Sequence, residues 1–250
     1  MFSFPVDFFE FPLNLIMLAL WLVLSLILWK NYRNSFVVRH LLSLRATFVS
    51  IALLLVAMLW IGLSGQRHFV SSYIFVAILF YFQTVLLFVV MRGWRRVRFF
   101  LNHAGLLIAV ASVFWGAPMT HTLRVQLFQD IPASEAFYMD GRKTWLPYQL
   151  ELKDFEVQYF DNGVPSLYKA DLSVSGEEVS LQVNKPYSRT LAEDIYLTSY
   201  NKTPQGETYC IIQIVREPWK YLTVAGILMM VAGALLMFLQ GPRKNKEVKE

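Results

Sequence analysis

The stretch Arg92-Gly93-Trp94-Arg95-Arg96-Val97-Arg98-Phe99-Phe100-Leu101-Asn102-His103-Ala104-Gly105-Leu106 decides how this chain folds. Its four arginines give way to an apolar run that continues to Trp115. That run is long enough to cross a bilayer as a helix. Cationic loops stay on the cytoplasmic side, so the arginines set the inner end of the span. His103 then falls about one turn into the hydrocarbon. An ionisable residue there is costly without a partner, which makes His103 a candidate site residue. Two small residues, Ala104 and Gly105, follow it.

Composition agrees with a membrane chain. The sequence has 250 residues, of which 56% are hydrophobic and 16% charged, with a mean hydropathy of +0.42. A globular chain carries about a quarter of charged residues, so several spans are expected. The net charge of +5 is unevenly placed along the chain and does not point to nucleic acid. Cys210 is the single cysteine. This excludes an intrachain disulfide, a CxxC redox pair, a cysteine-rich zinc site and a CxxCH haem attachment site. Cys210 lies in Tyr-Cys-Ile-Ile-Gln-Ile and reads as a small buried strand residue.

Working outward, apolar runs predict spans at 13–29, 47–63, 73–91, 99–115 and 221–239. Residues 1–12 read as an interfacial or extracytoplasmic leader without the basic start of a signal peptide. The domain organisation expected is a four-span region over 1–116, a β domain over 117–217, and a fifth span with a basic tail over 218–250. In the β domain, Leu150 and Leu152 alternate with polar residues, and the phase slips at Lys153-Asp154 before Phe155, Val157 and Tyr159 resume it. That slip predicts a bulge. Asp161-Asn162-Gly163 and Ser175-Gly176-Glu177 predict turns. Alternation returns at Tyr168–Val174 and Val179–Val183, and Ile195–Tyr200 and Tyr209–Val215 are further strand candidates. The fold class expected is an integral membrane, five-helix α bundle. A small all-β, antiparallel sandwich-like extracytoplasmic domain lies between its fourth and fifth helices.

Charge orients this layout. The loop after the first span, the loop before the fourth, and the tail each carry four Lys or Arg. Residues 117–217 carry nine Lys or Arg against fourteen Asp or Glu, a net of about −5 by that count. The expected topology puts the N-terminus and the β domain outside and the C-terminus in the cytoplasm of a bacterial cell.

Four histidines are the candidate ligands. His40, in a basic loop, reads as a surface residue. His68 and His121 both fall near the outer face. They are either solvated loop residues or an outward pair able to bind haem or a metal. His103 is either a structural histidine bonded to backbone or serine, or a ligand. In the second case one imidazole nitrogen donates to a neighbour while the other binds iron. Ala104 and Gly105 are expected to let a flat macrocycle approach the helix. A bis-histidine site would need its second ligand from another protein, since no other intramembrane histidine occurs. GxSxG, HExxH, Walker and GxGxxG motifs are absent, so no catalytic residues are assigned. The acidic residues of the β domain are expected to form a solvated surface.

Several motifs, in order, resemble the ResB or CcsB family of system II cytochrome c biogenesis. Asn102-His103-Ala104-Gly105-Leu106 resembles the family's membrane histidine at the start of a span. Leu150-Glu151-Leu152-Lys153-Asp154-Phe155 with Tyr159-Phe160-Asp161-Asn162-Gly163-Val164-Pro165 resembles its outer-domain signature. Val183-Asn184-Lys185-Pro186 followed by Ile195-Tyr196 resembles its "VN-P … IYQ" stretch, with Leu197 in place of the glutamine. Arg216-Glu217-Pro218 resembles its exit into the last helix. The resemblance covers about 99–242, and the outer domain here is smaller than in many relatives.

The resemblance implies an accessory subunit of a membrane cytochrome c synthase, a haem lyase complex. Its partner would be a CcsA-type haem-handling protein in a separate chain. The complex would carry haem b, held at the interface with that partner, from the cytoplasm outward to apocytochrome c. The membrane histidine, His103 here, would be a haem axial ligand, and no other metal site is implied. Two other readings are a scaffold that stabilises the CcsA-type partner without touching haem, and a membrane sensor with an outer ligand-binding domain.

Overall fold

The computed structural model describes residues 10–65, 72–163, 165–203 and 208–240. It divides into two units, one of helices and one of strands. The helical unit comprises α1 (Leu13–Asn31), α2 (Phe36–Leu41), α3 (Leu44–Ser64), α4 (Tyr73–Gly93), α5 (Val97–Gly116) and α6 (Lys220–Gln240). All but α2 are long and apolar enough to cross a membrane, so the chain is a multi-pass membrane protein.

Serine caps fix the starts of α2, α3 and α4. Ser35, Ser43 and Ser72 each accept a hydrogen bond from the backbone N–H three residues on, at 3.3, 3.0 and 3.3 Å. The Ser43 cap explains why α3 begins three residues before the predicted span at 47. The Ser35 cap likewise nucleates α2, which hydropathy alone misses because it is only six residues long. Val38 and Leu41 of α2 are buried with Val85, Phe88 and Val89 of α4. In its most apolar window α4 is 44% buried, against 11–17% for the other four long helices, which makes it the central helix of the bundle. Leucine and phenylalanine side chains on α1, α3 and α6 stay exposed, as expected of lipid-facing surfaces.

Interior polar groups hold the helices in register. Asn14 Nδ2 donates to the Trp115 carbonyl at 2.9 Å, and Trp21 Nε1 donates to Thr84 Oγ1 at 3.1 Å. Hydrocarbon offers such groups no water, so each must find a protein partner. Helices α5 and α6 pack antiparallel along their length. A Cβ on Gly105 would lie 2.6 Å from the Gly226 carbonyl oxygen, and one on Gly233 2.6 Å from Asn102 Nδ2. Only glycine permits that approach. Gly226 and Gly233 thus seat α6 against α5.

The second unit is one eight-stranded antiparallel sheet. Its strands are β1 (His121–Phe128), β2 (Ala133–Tyr138), β3 (Lys143–Tyr159), β4 (Pro165–Val174), β5 (Glu177–Gln182), β6 (Tyr187–Thr190), β7 (Glu193–Lys202) and β8 (Thr208–Arg216). The order is β5-β4-β3-β2-β1-β8-β7-β6. The sheet curls over its own core. Tyr187 on one edge strand donates to Glu177 on the other at 3.1 Å, and Tyr168 of β4 donates to the Thr198 carbonyl of β7 at 3.2 Å. One continuous sheet therefore supplies both faces of the sandwich-like layout. Leu123, Val125, Leu127, Leu150, Leu152, Leu172, Leu181, Ile195, Cys210, Ile212 and Ile214 form the core, each at most 1% exposed. Burial holds the Cys210 thiol up at about 12, so it stays protonated and inert.

The bulge falls where the phase slips: Leu152 pairs with Leu172 and Asp154 with Asp171, leaving Lys153 unopposed. Ser175 and Gly176 both have positive φ, 54° and 89°, as a two-residue type I′ hairpin requires. The chain also forms β1, β2, β6 and the first half of β3, which the sequence reading did not assign. The alternation of Leu123, Val125 and Leu127 was the available signal for β1.

Gly163, with φ of +78°, turns the β3–β4 hairpin, and its N–H donates to the Phe160 carbonyl at 2.8 Å. A Cβ there meets nothing within 4 Å, so the cost of a larger residue is backbone strain alone. Gly163→Val should lose about 1–3 kcal/mol, read as a lower melting temperature and yield of the purified protein. Gly163→Asn, which tolerates the left-handed region, should lose less. Equal melting of wild type and the valine variant would remove the turn from the folding argument.

Candidate functional site

His103 is the seventh residue of α5, about 9 Å along its axis at 1.5 Å per residue. Its Nδ1 lies 2.9 Å from the Phe99 carbonyl oxygen. A carbonyl only accepts, so Nδ1 carries the proton and, in the neutral ring, Nε2 keeps its lone pair. The ring also stacks on Phe99, with centroids 3.8 Å apart and 17° between planes. Phe99 in turn sits against Gly93, where a Cβ would come 2.1 Å from the phenyl ring. Backbone bond and stacking together fix the imidazole plane and its tautomer, as second-shell groups do for metal ligands.

His103 lines a groove of about 690 Å³ with Arg95, Arg96, Arg98, Leu236 and Met237. Cationic groups from the start of α5 and apolar ones from the end of α6 thus face the same space. Arg95 and Arg96 are exposed and Arg98 half-buried. The groove falls within the size range of small-molecule and cofactor sites.

The expectation that Ala104 and Gly105 open the helix to a macrocycle is overturned. Both are buried, and a Cβ on Gly105 would meet Gly226, Met229 and Met230. The Gly105 face of α5 belongs to α6. His103 and Asn102, not the small residues, border the groove.

The other histidines are dispersed. His40 is exposed on α2, and its Nε2 lies 3.1 Å from the Tyr81 hydroxyl, with the rings stacked 6.3 Å apart. His121 is the exposed first residue of β1, edge-on to Tyr138 at 5.8 Å. His68 lies outside the described residues. Among the described residues no group of three or more His, Cys, Asp or Glu is placed to hold a metal ion.

A second cluster escaped the sequence reading. Glu193, 4% exposed, accepts a hydrogen bond from Tyr148 Oη at 2.7 Å and ion-pairs with Arg189 and Arg216. Arg189 also stacks over the Tyr148 ring at 4.4 Å. Asp194, 7% exposed, accepts from Ser188 Oγ at 2.6 Å. These two carboxylates are not part of a solvated surface. Burial pushes Glu193 up, but the bonds from Arg189, Tyr148 and Arg216 outweigh it and hold the carboxyl below its ordinary range. The same burial and the Glu193 bond push the Tyr148 phenol up. The fork-shaped partners and full satisfaction mark a structural lock between β3, β6, β7 and β8, not a reactive dyad. The adjacency of two acids at 193–194 to the start of a strand was the only sequence signal.

Residues 87–212, half of the chain, match the ResB-like family. The match includes the end of α4, all of α5 with His103, and the β domain through the middle of β8. No curated protein matches the chain.

Proposed function

This chain belongs to the ResB-like family and so to cytochrome c biogenesis, and from that premise we propose that it is an accessory subunit of a membrane cytochrome c synthase. It receives haem near the cytoplasmic face and, with a CcsA-type partner, passes it outward for attachment to apocytochrome c. Haem is here the cargo. The observation that carries this reading is His103, an imidazole inside a span with its tautomer fixed and its other nitrogen without a hydrogen-bond partner among the described residues, beside a groove of cofactor size.

The residues present suit that cargo. Neutral imidazole offers a lone pair to iron without burying a net charge. Phe99, Leu236 and Met237 give the groove apolar walls, and the arginines give it a cationic rim. The second axial ligand comes from the partner, so the complete site exists only in the complex. His68 and His121 are kept as outer-face candidates for receiving the haem.

The expected membrane is the bacterial cytoplasmic membrane, with the N-terminus and β domain outside. Reporter fusions after Gly93 should read cytoplasmic and fusions at Gly163 extracytoplasmic. A cytoplasmic signal at Gly163 overturns the direction of transport.

The direct test is purification of the chain together with its CcsA-type partner. The expected result is haem retained through purification, with an absorption spectrum of bis-nitrogen ligation. A complex that forms in full and carries no haem after expression with ample haem supply favours the scaffold reading.

A further inference from the structure

We propose that the groove at the start of α5 binds its ligand by two carboxylates, with Arg95 and Arg96 as the clasp and His103 addressing the centre of the same molecule. The inference rests on the haem-delivery reading and adds to it the residues that recognise the ligand's acidic edge.

Three observations converge. The groove combines cationic and apolar walls in one space: Arg95, Arg96 and Arg98 on one side, Leu236 and Met237 on the other. Its ligand is therefore amphipathic, with anionic groups at one edge. Second, the chain has no Asp or Glu anywhere in residues 11–118 or 219–240. The spans of the helical unit therefore supply no carboxylate that could neutralise Arg95 or Arg96. Third, Arg95 packs its guanidinium over the Trp94 ring at 5.3 Å. Stacking uses the face of the guanidinium and leaves its N–H edge to donate in plane, the geometry that takes a carboxylate bidentately.

Spacing fits a ring-shaped dianion. His103 lies seven residues beyond Arg96, the N-cap of α5, about 10.5 Å along the axis at 1.5 Å per residue, with Arg95 next to Arg96 at the helix entry. An imidazole at the centre of a tetrapyrrole and cations at its carboxylate edge need a separation of this order, with the edge turned toward the interface. A lipid phosphate would satisfy the guanidinium groups equally well. It makes no use of His103, which borders the same groove, and this favours the tetrapyrrole.

The experiment uses the full complex with its partner, stripped of haem and reconstituted in nanodiscs. Free-acid haem and haem dimethyl ester, whose carboxylates carry no charge, are titrated against wild type, the R95Q/R96Q variant and the R95K/R96K variant. Wild type should bind free-acid haem about ten- to a hundred-fold more tightly than the ester, the range for charge-assisted hydrogen bonds. The glutamine variant should lose that preference while its ester affinity and ligation spectrum stay unchanged. The lysine variant should recover part of it, and the fusion reporters should show its topology intact. Equal binding of both ligands by wild type overturns the clasp and leaves haem delivery standing. Failure of wild type to bind either ligand overturns both. A glutamine variant that keeps the wild-type preference for free-acid haem and loses only binding to anionic lipid assigns the arginines to the lipid headgroup and overturns the clasp.

Discussion

His103→Ala should strip haem from the purified complex and abolish holocytochrome c while leaving the protein level near normal. The fold tolerates the change because His103 is half-buried and its Nδ1 bonds to the Phe99 carbonyl of its own helix. Losing that bond and the Phe99 stack costs about 1 kcal/mol. The ligand loss is far larger. Altering a group that merely orients a metal ligand costs about 10–100-fold in affinity, so removing the ligand itself should cost at least that. The measurement is the haem-to-protein ratio and absorption spectrum of the complex, alongside cytochrome c covalent haem. Added imidazole should restore part of both by filling the vacant position. An alanine variant that assembles, keeps its spectrum and matures cytochrome c makes His103 structural and transfers both ligands to the partner.

Glu193→Gln should be the most destabilising single polar substitution in the β domain. The carboxylate satisfies Tyr148, Arg189 and Arg216 together. Glutamine keeps the shape but removes the charge, leaving two guanidinium groups facing a neutral amide. Breaking a buried pair costs about 3–5 kcal/mol, and the partial exposure of both arginines places this case near 3 kcal/mol. The pH dependence gives a separate signature. The folded carboxyl sits below its unfolded value of about 4.3. Its stabilisation is therefore full above that value and lost as pH falls through the folded one. Wild-type melting temperature should drop through that acid window, and the glutamine variant should drop less. Parallel pH curves for the two proteins would show that Glu193 contributes no linked proton. The match to the ResB-like family covers Tyr148, Arg189 and Glu193 as well as His103 and ends before Arg216, so the two variants separate a folding role from a ligand role within the matched region.

Local chemistry made much of the architecture readable. The spans were legible because hydrocarbon demands long apolar runs, and each run ends at arginines, tryptophans or glycines. The hairpins at Gly163 and Ser175-Gly176 were legible because only a few residues adopt positive φ. The bulge at Lys153 showed itself as a lost beat in a two-residue period. The short α2 and β6 carry too few residues for any period to register, and a serine cap and a neighbouring strand define them instead.

The candidate site divides along the same line. The sequence by itself determined that an imidazole would lie inside a span just past four arginines, because position and composition alone fix that. Only the tertiary structure decided what surrounds it. Gly105 reads as an opening for a ligand, yet it is the seat of Gly226, because whether a missing side chain makes a cavity or a contact depends on which helix arrives there. Glu193 reads as one surface acid among fourteen in its domain, yet strands distant in sequence bring two arginines and a tyrosine to it. Desolvation and pairing are properties of neighbours in space, and no spacing along the chain encodes them.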